Sequence, residues 1–177
     1  MEVSYIRLVG PEYITGALRA TTGKDMYKVS LPKPETWERL VRSAHGVPHS
    51  PLRVVQYRFY IEDIPSWVTV HFVRHHVGVQ FYIKSQRDDR NKSDTPRSKK
   101  PQGELINMMF DINANSLINM AKARLCNQAA KETRQVMNVI KACLLASGDQ
   151  YDNILGEYML KPCDIGDCFE PYPCKRD

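Results

Sequence analysis

The run RVVQYRFYIE, residues 53–62, places Val55, Tyr57, Phe59 and Ile61 in alternation with Gln56 and Arg58. Side chains of a strand point to opposite faces in turn, so this period predicts a half-buried strand with one aromatic face toward a core. Such a strand needs helices over its dry face, and the downstream sequence offers them. From Ala114 the residues Leu117, Met120, Ala121 and Leu125 recur at helical spacing, and residues 129–145 are rich in strong helix formers. A second strand is expected over residues 105–112. At 177 residues and 42% hydrophobic, the chain can bury one real core. The fold class expected is α/β (α+β), a single domain with a mixed or antiparallel sheet packed on helices.

Other segments fill in the outline. MEVSYIRLV reads as an edge strand ending at Gly10-Pro11, and PETWERLVRSAH as a short helix with Pro34 near its start and Trp37, Leu40 and Val41 on one face. Asp63 is expected as the N-cap of a helix over SWVTVHFVRHH, with Pro65 just inside it. Residues 88–103 contain Pro96, Pro101 and Gly103 without an apolar period and read as a loop. After Gly148 regular order is expected to decay. The division anticipated is a domain over residues 1–160 and a Cys/Pro-rich tail over residues 161–177.

The most unusual stretch is FVRHHVGVQFYIKSQR, residues 72–87, which sets Arg74, His75, His76, Lys84 and Arg87 beside Phe72, Val77, Val79 and Phe81. Buried cations without partners are costly, so these side chains either reach solvent or meet an anionic ligand. Residues 84–100 add seven Lys or Arg against three Asp, which is +4 of the formal +5. A phosphate-bearing partner fits that balance, whereas a solvated loop is the plainer reading. No run reaches a membrane span and the first residues lack a signal-peptide pattern, so a cytoplasmic protein with no membrane partner is expected. The sequence contains no GxGxxG, GxxxxGK[ST] or HExxH.

Taken in order, these motifs resemble the flavin-dependent thymidylate synthases. That family carries Arg-His-Arg, a spacer, Ser, and Arg two positions on; here Arg74-His75-His76 is followed by eight residues, Ser85, and then Arg87. Its Arg-x-x-x-Pro segment is matched by Arg97 to Pro101, its Asn-Ala-Arg-Ser-Leu-x-Asn by Asn113 to Asn119, and its Leu-Arg by Ala123-Arg124, with Ala129 and Glu132 continuing the agreement. The matches run from about residue 50 to residue 136.

The resemblance implies methylation of dUMP at the uracil C5 carbon, with FAD as cofactor and NADPH and methylenetetrahydrofolate as co-substrates. It also implies a homotetramer and a 1–160 segment that is the catalytic domain. Substrate contacts are implied for Arg74, Ser85, Arg87, Arg97 and Arg124, with Arg87 and Arg97 on the phosphate. Cofactor contacts are implied for Arg74, His75, His76, Asn113 and Asn119. Arg124 is the catalytic candidate, because a fixed cation beside the uracil carbonyl stabilises charge that develops as C5 becomes nucleophilic. Read without the family, Asn113 is equally an N-cap for the following helix.

The chain departs from the family pattern at several positions. His76 replaces the second Arg of the motif, Arg53-Val54 replaces a Glu-His pair, His71 a Gln, Asn115 an Arg and Gln128 a His. These departures keep two alternatives open: a divergent enzyme acting on another pyrimidine nucleotide, and a non-catalytic nucleotide- or nucleic-acid-binding homologue, although no nucleic acid partner is expected.

The five cysteines pose a separate question. Cys163-x4-Cys168-x5-Cys174, with Cys126 as a fourth ligand from a helix, is a candidate Zn site, and Cys143 reads as core packing.

Overall fold

The computed structural model describes residues 1–47, 50–90, 95–166, 168 and 170–174. Residues 91–94 of the expected loop and residues 167, 169 and 175–177 of the expected tail lie outside the described residues. Four strands, β1 (Glu2–Val9), β2 (Gln56–Pro65), β3 (Val79–Ile83) and β4 (Leu105–Asn113), form one sheet in the order β1-β2-β4-β3. Every neighbouring pair is antiparallel. Six α-helices accompany it among the described residues: α1 (Ile14–Ala20), α2 (Pro34–Ser43), α3 (Ser66–Phe72), α4 (Ala114–Arg124), α5 (Lys131–Leu145) and α6 (Gln150–Glu157). The expected α+β class with an antiparallel sheet is the observed one.

The alternation in β2 is realised as predicted. Tyr57, Phe59 and Ile61 are buried and meet Met108, Phe110 and Ile112 of β4 under α4 and α5. Phe110 lies directly across from both Phe59 and Phe81, and its ring stands 5.4 Å from each. Each such ring pair adds about 0.5–1.5 kcal/mol beyond area burial. The opposite sheet face carries the ion pair Arg58–Asp111, with N–O distances of 2.6 and 2.7 Å.

β3 is an element the sequence reading did not separate from the charged stretch around it. The cations turn out to flank the strand: Arg74 to His76 precede it, Lys84 to Arg87 follow it, and only Val79, Phe81 and Ile83 face inward. The apolar residues beside the charges belong to a short edge strand whose two ends are polar.

Two local expectations are corrected. Asp63 does not cap α3; it sits at φ 55° in an irregularity of the β2–β4 pairing between Ile61 and Ile64, its backbone N–H donating to Asn107. Pro65 takes the capping position, and the first N–H groups of α3 donate to the carbonyls of Glu104 and Gln102. The helix stops at Phe72, so His75 and His76 lie in the following turn.

Order also does not decay after Gly148. Asp149 accepts from the backbone N–H of Tyr151 and Asp152 and starts α6. α6 buries Asp152, Leu155 and Gly156, and Tyr151, Ile154 and Tyr158 pack on the core beside them at helical spacing, a period that the expectation of decaying order overlooked. Asp152 is 3% exposed and accepts from the Tyr5 and Tyr57 hydroxyls, both at 2.8 Å, and from Arg7 at 3.1 Å. This polar knot joins β1, β2 and α6. Burial foremost, and then the neighbouring Asp152 charge, push the Tyr57 hydroxyl well above the ordinary tyrosine range. Trp37 of α2 is fully buried and donates to the Tyr151 carbonyl at 2.8 Å.

Removing the acceptor at the centre of the knot strands the buried Tyr57 hydroxyl and frees that of Tyr5, while Arg7 keeps its ion pair with Asp149 at 2.7 Å. Asp152→Ala is therefore expected to cost about 2–3 kcal/mol in a urea unfolding titration. A loss below about 1 kcal/mol would show that these donors find other acceptors.

Candidate functional site

The candidate residues gather at the end of the molecule where α3 runs into the 73–78 turn and α4 begins. The turn is fixed by three contacts. Asn113 caps α4 by accepting from Ser116 N–H at 2.9 Å, its side-chain amide donates to the Gly78 carbonyl at 3.2 Å, and the Ser116 hydroxyl donates to the Val77 carbonyl at 2.8 Å. Gly78 adopts φ 68°, and a Cβ there would run into the Asn113 amide and the Ser116 hydroxyl. Any side chain would meet both the left-handed backbone and this contact.

Two clefts flank the turn. A cavity of about 870 Å³ opens between α3 and the segments around β3, with Trp67 and His71 on one wall and Lys84, Ser85, Arg87 and Arg97 on the other. A second, of about 450 Å³, is lined by Arg53, Arg74, His75 and His76 and by Asn113, Asn115 and Asn119. The positions for which a nucleotide phosphate was expected thus share the first cleft, and those expected near a cofactor share the second. Arg74, expected at both, lines the second.

Arg124, at the end of α4, joins the turn. Its Nε–H donates to His75 Nε2 at 2.9 Å, so the His75 ring is neutral with its proton on Nδ1. Burial, and then the Arg124 and His76 charges, push the His75 imidazole down to about 4. His71 is likewise shifted downward by burial and by Arg124 and Arg74. It shares a hydrogen bond with Thr133 of α5 at 2.9 Å and stands edge-on to Trp67 at 5.6 Å. The centre therefore consists of permanent guanidinium charges with neutral imidazoles between them.

Other expected residues are already engaged. Arg87 makes a two-pronged contact with Asp89, both N–O distances 2.9 Å, on a surface where each side chain is 58% exposed. Ser85 accepts from the Arg87 backbone N–H at 3.3 Å, and Arg97 is tied down by its own backbone N–H donating to Asp88 at 2.8 Å. His76 is exposed, its Nδ1 3.2 Å from the Arg74 carbonyl. Asn113 fulfils the capping role, and Asn119 accepts from Lys122 at 3.3 Å.

Asn115 stands out among residues not placed in the site from sequence. It lines the second cleft, is 5% exposed, and its side-chain oxygen is buried without a hydrogen-bond partner. A buried acceptor left unpaired costs about 1–3 kcal/mol, which a ligand donor can recover. Trp67 was missed because its helical spacing reads as core.

The four candidate zinc cysteines are all free thiols and line a separate cavity of about 140 Å³. Among the described residues no three His, Cys, Asp or Glu side chains form a ready-made metal-binding group. Cys143 is half-buried and donates to the Val3 carbonyl at 3.4 Å, away from that cavity.

His75 provides a direct check on the site electrostatics. Its folded value of about 4 lies below the unbound value of 6.5, so the unfolded chain takes up the proton first as pH falls. The stability contributed by the neutral ring is complete above about pH 6.5 and is lost as pH falls toward 4. Nitrogen NMR should find the Nδ1–H tautomer with a midpoint near 4, and Arg124→Gln should raise it. A parent midpoint near 6.5 would mean that the Arg124–His75 hydrogen bond does not form in solution.

No protein-family model matches the chain, and no curated protein matches it. Among solved structures it is similar to flavin dependent thymidylate synthase ThyX from Helicobacter pylori complexed with FAD and dUMP, with a TM-score of 0.65 and 17% identity over 91% of this chain and 100% of that one. A second structure of Helicobacter pylori ThyX with FAD and dUMP gives a TM-score of 0.65 and 14% identity over 90% of this chain and 99% of the other. At such identities the likeness establishes a shared fold.

Proposed function

We propose that this chain is a thymidylate synthase-like methyltransferase that binds FAD and methylates dUMP at the uracil C5 carbon, with methylenetetrahydrofolate and NADPH as co-substrates. The observation that carries this reading is the sorting of the basic residues into two clefts, Arg87 and Arg97 in the first and Arg53 and Arg74 in the second, with Arg124 bonded to His75 of the second. The solved structures that share this fold hold FAD and dUMP, and this reading assigns the nucleotide to the first cleft and FAD to the second.

Arg87 and Arg97 hold the nucleotide phosphate, and Ser85 lies beside them. A guanidinium binds phosphate oxygens in two places and stays charged at any working pH. Arg87 must release Asp89 to do so, so the ligand replaces one anion with another. The second cleft suits FAD: it offers the Arg74 cation for a pyrophosphate, the His75 and His76 rings, and the unpaired Asn115 oxygen for a donor. FAD, when bound, supplies the redox chemistry of the methyl transfer. Arg124 meets the uracil carbonyl side and stabilises the negative charge that appears there as C5 attacks. His75, neutral and accepting from Arg124, orients that guanidinium without competing for its charge.

Both clefts are open in a single chain. The outer sheet face exposes Ile6, Leu8 and Tyr82 around the Arg58–Asp111 pair, which supports assembly into a homotetramer that closes them. No helix among the described residues is long and apolar enough to cross a membrane.

One observation favours a second reading, a different pyrimidine nucleotide. Asn115 is a neutral amide where the resemblance has an arginine, so a cation that the resemblance implies for this site is missing, and a ligand other than dUMP is the alternative it leaves open.

The visible spectrum of the purified protein tests the proposal. A flavin band that shifts on addition of dUMP supports it; a protein that takes up no FAD overturns it. If dCMP shifts the band and dUMP does not, the second reading holds. Arg87→Ala and Arg97→Ala should each weaken nucleotide binding by about 2 kcal/mol in calorimetry, with FAD uptake changed less.

Arg124→Lys keeps the charge and loses the planar fork. Nucleotide should still bind with moderate loss, while dTMP formation falls roughly 100-fold or more. A variant that makes dTMP at the parental rate removes Arg124 from the mechanism.

A further inference from the structure

The segment from Pro162 to Cys174 has no evident reason to be ordered. None of its described residues is buried, Tyr172 is 86% exposed, and the structured piece is a single short turn over Pro162–Ile165. Fixing each backbone residue costs about 1–2 kcal/mol, and the described residues of this segment bury no side chain that would offset it. It is nonetheless held against the end of α4, where Gln128 donates to the Tyr172 carbonyl at 2.9 Å. The residues lining the junction include Cys163, Cys168 and Cys174 from the tail and Cys126 from just beyond α4. Two parts of the chain about forty residues apart thus bring four of the five cysteines around one cavity, and all four are free thiols.

We propose that Cys126, Cys163, Cys168 and Cys174 bind one Zn²⁺ as four thiolates, a structural site that fastens residues 162–174 to the C-terminal end of α4. Four sulfurs in a tetrahedron about 2.3 Å from the metal are the closed, structural form of zinc coordination. The cavity, about 140 Å³, admits one ion once the sulfurs rotate inward. That rotation is required, since no three potential ligands are grouped for a metal among the described residues. Binding breaks four S–H bonds, forms four Zn–S bonds and releases four protons to solvent, so it needs no oxidant or reductant.

The resulting centre carries a net double negative charge. Arg134 is placed near it, donating to the Asn127 and Ala129 carbonyls at 2.6 and 2.7 Å in the turn that follows Cys126. Glu170 also lines the cavity; four thiolates already complete the tetrahedron, so its carboxylate stays outside the coordination sphere. Because Cys126 lies two residues past Arg124, the metal also anchors the end of the helix that carries this guanidinium. The zinc site does not depend on the proposed reaction, since its ligands and its test are separate from both clefts.

The full chain, expressed with zinc in the medium and purified under reductant without chelator, should contain about one zinc per chain by elemental analysis. Replacing the zinc with cobalt should produce thiolate charge-transfer absorption and the intense visible bands of a tetrahedral centre. Cys163→Ser and Cys174→Ser should each lower zinc retained after dialysis at least tenfold, while Cys143→Ser and Glu170→Gln retain it. Chelation should speed proteolytic cleavage within residues 162–174 without altering the folded core seen by circular dichroism.

Parent protein without stoichiometric zinc overturns the proposal, as does iron in its place. So does a disulfide among the four cysteines detected by alkylation and mass spectrometry of fresh protein. Zinc retention unchanged in both serine variants has the same consequence. If those variants prove insoluble, zinc content and the cobalt spectrum of the parent decide the matter alone.

Discussion

The site depends on how Asn113 holds the Gly78 carbonyl. One side-chain amide caps α4 through its oxygen and clamps the 73–78 turn through its nitrogen, and Ser116 repeats the clamp one residue earlier at Val77. The other end of the same turn is held at the far end of the same helix, by Arg124 on His75. An eleven-residue helix is about 16 Å long, whereas three extended residues reach about 10 Å. The long Arg124 side chain covers the difference. Gly78 is required because the clamp leaves no room for a Cβ and uses a left-handed backbone. The second cleft, lined by Arg74 to Val79 with Asn113 and Ser116, takes its shape from this arrangement.

The cations that looked out of place in an apolar stretch are separated from it by strand geometry. Phe81 turns inward against Phe110 while the charged residues sit beyond each end of β3, so none is buried without recourse to solvent or a partner. Between the fixed guanidinium groups His75 and His71 are held toward their neutral forms, and this limits mutual repulsion while keeping hydrogen-bonding capacity. Arg87 already grips a carboxylate with the geometry that a phosphate would use, so its side chain is preorganised for an anion rather than waiting in solvent.

The remainder of the molecule supports that end of the sheet from behind. β2 and β4 form its centre, and the aromatic contacts of Phe59, Phe110, Phe81 and Phe72 bind the edge strand β3 and the helix α3 to it. On the opposite edge, Asp152 closes the sheet onto α6 through two tyrosine hydroxyls and Arg7. One edge is thus secured by apolar rings and the other by a buried carboxylate that accepts from three side chains. The second is the more sensitive to substitution, since a lost acceptor takes a partner from two tyrosine hydroxyls at once.

Local periodicity was enough for the strand that contains Gln56, the helices from Pro34, Ala114 and Lys131, and an α+β class, because those segments repeat apolar residues at the period of the element they form; that the sheet is antiparallel rather than mixed came from the strand pairing. The sequence by itself also determined which residues carry charge, and the ordered spacing from Arg74 to Arg124 was enough to suggest the fold. Tertiary structure alone decided the rest. β3 is only five residues long and pairs with β4 alone, so its alternation of Val79, Phe81 and Ile83 was too short to stand out from the charged stretch around it. α6 buries a carboxylate that only Tyr5, Tyr57 and Arg7 make tolerable, residues nearly a hundred or more positions away. Asp63 was read as a cap, and a strand irregularity claimed it. The division of the basic residues into two clefts, the neutrality of His75, the unpaired oxygen of Asn115 and the meeting of four cysteines all arise from contacts distant in sequence, which local patterns do not encode.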